Sequence, residues 1–94
     1  MAVVKADGYG HGAVQIARFC AGEGVGAFAV ATVNEGATLR RAGIKGDILV
    51  LGRTFPPEFS EAHRRNLILT VADPVHAEEL AAFGKSLRLH VAVD

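Results

Sequence analysis

The sequence predicts an α/β chain built on a parallel sheet. Five short runs are apolar at nearly every position: Ala2–Ala6, Ala27–Ala31, Ile48–Leu51, Leu67–Val71 and Leu87–Val93. Strands wetted on one face would alternate apolar with polar residues, so continuous apolar runs suit a parallel sheet covered by helices. One segment with helix-starting or helix-ending residues separates each run from the next, which fits βαβ units. Five such strands in 94 residues make either an open α/β sheet or part of a (β/α)8 barrel. A complete barrel takes eight strands and typically ~250 residues, so on the barrel reading the chain holds just over half of one.

The elements follow in order. Ala2–Ala6 is a first strand whose apolar run ends in polar residues. Ala13–Ala21 carries Val14, Ala17, Cys20 and Ala21 at helical spacing, with Gly22 as its C-cap. Ala27–Ala31 is a second strand of the buried type. Thr32 and Glu35 have capping-box spacing, so a helix runs from Val33 to Ala42 and closes at Gly43. Ile48–Leu51 is a third strand, ended by Gly52. Pro57–Arg65 reads as a short helix with proline in its first turn and basic residues in its last. Leu67–Val71 is a fourth strand. Asp73-Pro74 joins an N-cap to a proline at the first helical position, and the helix Val75–Phe83 ends at Gly84. Leu87–Val93 is a fifth strand.

Composition narrows the function classes. Hydrophobic residues make up 50% of the chain, so this is core-forming sequence and not a disordered tail. Ten basic and ten acidic side chains balance, which argues against a nucleic-acid or anionic-membrane partner. No apolar run approaches the roughly 20 residues of a membrane span, and the start lacks the pattern of a signal peptide. Cys20 is the sole cysteine, so there is no internal disulfide framework; a reducing, cytoplasmic setting is expected. Domains rarely start and stop inside strands. Residues 1–94 are therefore expected to be one uninterrupted stretch of a larger domain.

The residues that could carry chemistry cluster at the start. Lys5 is a primary amine at a strand's carboxyl end, where parallel α/β folds place their sites. It is followed by a turn holding Gly8, Tyr9, Gly10, His11 and Gly12. An amine in that position suits Schiff-base chemistry on a phosphorylated aldehyde cofactor, and the glycine-rich turn can bring its backbone close to a phosphate. Taken singly, a strand-end lysine is usually just solvated, and a glycine run is a weak signal. The segment VVKADGYGHG, Val3 to Gly12, closely resembles the pyridoxal-phosphate attachment motif of the alanine racemases, AVVKADAYGHG, with Gly8 where alanine is commoner. The resemblance implies that Lys5 is the Schiff-base lysine and a catalytic base. It implies also that Tyr9 hydrogen-bonds the cofactor phosphate, a task for which a phenol hydroxyl is a suitable neutral donor; the alternative for Tyr9 is packing at the rim. His11 is expected to hold the turn and not to react.

The rest of the chain resembles the same family in order. Leu51 ends the strand ILVLG, and the family places a leucine there near the cofactor ring; a plain core leucine fits the pattern equally well. Thr54 to Pro57 is similar to a segment of serine/alanine racemases, although Arg53 stands where those often carry tyrosine. His90, Ala92 and Asp94 share one strand face and resemble the family's H-x-K-x-D strand, with Ala92 replacing a lysine that helps orient a later arginine. The resemblance implies the first five strands of a (β/α)8 TIM barrel and pyridoxal 5'-phosphate as cofactor. It implies a homodimeric enzyme interconverting L- and D-alanine, or serine, for peptidoglycan synthesis, and inactivity of the 94 residues alone. The alternatives are a non-catalytic cofactor-binding fragment, or a related barrel decarboxylase or pyridoxal-phosphate carrier. His63 and His76 are expected on solvated helix faces. No histidine–carboxylate group has metal-ligand spacing.

Overall fold

A computed structural model describes residues 1–4 and 11–91. Five strands stand side by side in chain order, each parallel to the last: β1 (Ala2–Val3), β2 (Ala27–Val30), β3 (Asp47–Val50), β4 (Ile68–Val71) and β5 (Arg88–Val91). The helices α1 (His11–Gly22), α2 (Val33–Arg41), α3 (Pro56–Arg64) and α4 (Pro74–Ala82) fill the four connections. This is the expected succession, with ends displaced by a residue or two. Beyond Val3 the β1–β2 ladder continues, because the Val4 N–H donates to the Ala29 carbonyl at 2.8 Å. The expected remainder of the first strand, residues 5 and 6, and of the fifth, residues 92 and 93, lies outside the described residues.

Strand pleating sends Val4, Phe28, Val30, Ile48, Val50 and Leu69 toward the helices, where they bury Ala17, Leu39, Phe59, Ala62 and Leu80 in one cluster. Cys20 packs against this cluster as a small apolar residue. The opposite face follows from the register: Val3 lies level with Ala29, Ala29 with Leu49, and Leu49 with Ile68. Ala29 and Leu49 are buried, yet neither belongs to the helix-side cluster.

The first helix does not end where the sequence suggests. It takes in Gly22 as its last residue, and the left-handed turn that closes it falls at Gly24, at φ 93°. The reason is a Schellman arrangement, in which Val25 N–H donates to Cys20 O at 3.0 Å and Gly24 N–H to Ala21 O at 3.1 Å. The end of α3 is built the same way with Asn66, at φ 54°, as the turning residue. Helices also grip their successors. Arg18 on α1 donates to Ala42 O beyond α2. Arg40 on α2 donates to Arg65 O and Asn66 O beyond α3. His63 on α3 meets Ser86 O beyond α4. Ala42 and Arg65 are the C-cap residues of α2 and α3, whose carbonyls a helix leaves unpaired at its end.

Candidate functional site

Parallel α/β folds collect their chemistry at the carboxyl ends of strands. After β2, Thr32 caps α2: its Oγ1 accepts the Glu35 N–H at 3.1 Å. The Glu35 carboxylate in return accepts from Ala31 N–H at 2.8 Å and Thr32 N–H at 3.1 Å. After β3 the chain stays laced to β2, with Leu51 N–H on Val30 O at 2.8 Å and Gly52 N–H on Ala31 O at 3.0 Å. Leu51 is 49% exposed. Alternation from Leu49 places it on the face that carries Val3 and Ala29, away from the helix-side core.

Arg53 and Thr54 are held by the β4–α4 junction. Arg53 pairs with Asp73 and, at 3.4 Å, with Glu79, and its guanidinium lies 5.8 Å from the centre of the Phe55 ring. Asp73 is the N-cap of α4. The His76 backbone N–H that it accepts at 2.8 Å, and after it the Arg53 guanidinium, hold its carboxyl below the ordinary carboxylate range despite the opposing effect of desolvation.

Beneath this exposed network is a buried one. Thr54 is 1% exposed and His76 is fully buried. The ring Nδ1 of His76 accepts the Ala72 N–H at 3.0 Å, and Nε2 lies 3.1 Å from Thr54 Oγ1. Because Nδ1 faces an N–H donor it acts as acceptor; the neutral ring then carries its proton on Nε2 and donates it to Thr54. Phe59 lies against the ring at 6.2 Å between centroids. The expectation that His76 is solvated is therefore wrong. Asp73 capping sets the helix start so that the third helical residue turns inward, and burial is tolerated because both nitrogens have partners. Neither Thr54 nor His76 suggested itself from the sequence as a partner of the other. The Asp73-Pro74 cap marks the helix start, but nothing local says which loop that helix end will face.

His63 is exposed, as expected. His90 is exposed on β5, level with Thr70. Lys5, Tyr9, Ala92, Asp94 and the side chain of His11 lie outside the described residues. No three metal-ligating side chains come together among the described residues, and no described helix is long and apolar enough to cross a membrane.

A cleft of about 500 Å³ opens at the opposite, amino-terminal end of the sheet, lined by Arg40, Lys45, Asp47, Asn66 and Arg88 among others. Its arginines are already engaged. Arg40 donates to three carbonyls, and Arg88 on β5 pairs with Asp47 on β3 at 2.9 Å. Burial, and next the positive charge of Arg88, lower the Arg40 pKa. The carboxyl-terminal rim, with an open apolar face beside Leu51, is the better candidate.

Comparison with known proteins gives a consistent result. The family model described as "Alanine racemase, N-terminal domain" matches residues 1–94. Alanine racemase 1 of Caldanaerobacter subterraneus subsp. tengcongensis is 41% identical over the whole chain, and serine/alanine racemase of Enterococcus gallinarum 42%. The chain spans 25% of the first and 14% of the second. Among solved structures, alanine racemase of Clostridium difficile 630 in complex with cycloserine superposes with a TM-score of 0.84 at 36% identity. That match covers 99% of this chain and 26% of the other. The alanine racemase of Oenococcus oeni gives 0.83 at 31%, covering 98% and 27%. The five strands are thus consecutive strands of a (β/α)8 barrel, and the chain belongs to the alanine racemase N-terminal domain family.

Proposed function

We propose that the intact protein is a pyridoxal-phosphate-dependent racemase of alanine, in which Lys5 is the attachment lysine and a catalytic base. One observation carries the reading: the attachment segment from Val3 to Gly12 sits at the start of a chain that belongs to this family. The described residues suit the ring of such a cofactor. Val3, two residues before Lys5, is 61% exposed on the face that carries Ala29 and the half-exposed Leu51. This offers a flat apolar ring a wall of the right kind. Pyridoxal phosphate, when bound, supplies an electron sink that acidifies the substrate Cα–H.

The chain's own residues then have distinct tasks. Lys5 would hold the cofactor through its Nζ and would take or return the Cα proton on its side. Tyr9 donates its phenol hydrogen to the phosphate. Leu51, exposed on that face, would flank the ring and keep water from it. The proton on the other side, and the partner of the ring nitrogen, are assigned to residues beyond this chain, in keeping with a homodimeric cytoplasmic enzyme that supplies D-alanine for peptidoglycan. The test is borohydride reduction of the intact protein with bound cofactor, followed by peptide mapping. The pyridoxyl label is expected on Lys5. A label on Lys45, Lys85 or a lysine outside this chain, with Lys5 unmodified, would overturn the assignment.

A further inference from the structure

The loop after β3, residues 51–55, forms the rim beside the face assigned to the cofactor, and its ordering depends on few contacts. Through Gly52 it is tied to β2 by backbone bonds. Beyond that point Arg53 makes ion pairs with side chains that are each about one third to one half exposed, and Phe55 N–H donates to Glu58 at 2.9 Å. Exposed pairs of this kind order a loop weakly. The contact of Thr54 with His76 differs, since both residues are sealed from solvent and the ring is anchored at its other nitrogen by Ala72 N–H. In such surroundings a hydrogen bond is stronger and its loss leaves a buried donor unpaired.

We propose that His76 is a positioning residue: acting through Thr54, it clamps the β3–α3 loop to the β4–α4 junction and so holds the rim that follows Leu51 beside the cofactor face. The proposal rests on the reading of that face as the cofactor's, but the clamp itself does not. The two ring nitrogens have separate jobs. Nε2 fixes the loop that follows Leu51, and Nδ1 fixes the ring to the end of β4.

Four variants of the intact protein separate them. Thr54→Val keeps the shape and removes the acceptor, while Thr54→Ser keeps the hydroxyl. His76→Gln can still donate to Thr54, and His76→Asn can still accept from Ala72. Amide hydrogen exchange is read on the cofactor-free protein, and affinity by titration with pyridoxal 5'-phosphate. Thr54→Val and His76→Asn should speed exchange at residues 53–55 on the order of tenfold and weaken cofactor binding by a similar factor. Thr54→Ser and His76→Gln should restore both, with His76→Gln loosening only Ala72. If Thr54→Val does not fold, the His76 pair decides. Equal behaviour of His76→Asn and His76→Gln would overturn the clamp. Faster loop exchange with unchanged cofactor affinity would overturn its positioning role. Failure of the Lys5 labelling would leave the exchange result standing, so the two readings fail separately.

Discussion

Replacing Gly46 with alanine should cost far more than replacing Gly43, although the two backbones are nearly alike, at φ 92° and 88°. At either position a Cβ brings about 1–2 kcal/mol of left-handed strain. At Gly43 the added carbon meets nothing within 4 Å, so strain is the whole cost. At Gly46 it would overlap the carbonyl oxygen of Gly26, the atom that accepts the Asp47 N–H at 3.0 Å. Backbone stands against backbone there, so no side chain can swing aside. Relief requires losing that bond, about 0.5–1.5 kcal/mol. It also moves the start of β3 off β2, where Ala27 and Asp47 are in register; overpacking of this kind costs about 1–3 kcal/mol. Gly46→Ala should therefore be less stable than Gly43→Ala by roughly 2–4 kcal/mol. Native-state hydrogen exchange of the β2 and β3 amides in the intact protein measures the gap, expected as a roughly 30- to 1,000-fold difference in rate. Gly46 lies at the amino-terminal end of β3, remote from Leu51, so cofactor affinity of the folded variant should stay near that of the parent. Equal protection in the two alanine variants would refute the steric argument.

Two other perturbations have definite signs. The carboxyl of Asp73 is held below its ordinary value of 3.8. Its contribution is accordingly complete above that value and is lost as the pH falls through the folded pKa. The parent should lose thermal stability on acidification more steeply than Asp73→Asn, which caps without titrating; parallel curves below pH 4 would contradict this. Arg40→Lys should destabilise nearly as much as Arg40→Met, by about 1.5–3 kcal/mol. The planar guanidinium reaches Arg65 O, Asn66 O and Ile44 O together, which a single ammonium cannot do. Urea denaturation of the three proteins is the check, and near-parental stability of the lysine variant would count against the carbonyl clamp.

What could be read ahead of the structure was whatever is encoded between near neighbours. Thr32 with Glu35, and Asp73 with Pro74, announce helix starts because capping acts across three residues. Helix ends were harder. The sequence marks Gly22 as the cap, yet the left-handed turn falls at Gly24, because Val25 folds back to donate to Cys20. In ILVL every residue looks like core, yet Leu51 emerges half-exposed past the last ladder position, whereas Ile48 and Val50 are sealed under the helices. The site shows the same division. Lys5 and Tyr9 stand out from a continuous motif, whereas the Thr54–His76 contact is silent in the sequence.

The β/α alternation, the parallel sheet it implies and the family motif at Lys5 are legible along the chain, because periodicity, capping and a ten-residue motif all act between near neighbours. The burial of His76, the closure of α3 by Arg40 and the outward turn of Leu51 from the helix-side core arise only when the elements pack. Thr54 and His76 are 22 residues apart and Arg40 and Asn66 are 26 apart. Such pairings arise when successive βα units stack, and burial then makes each polar group find the partner that stacking brings within reach.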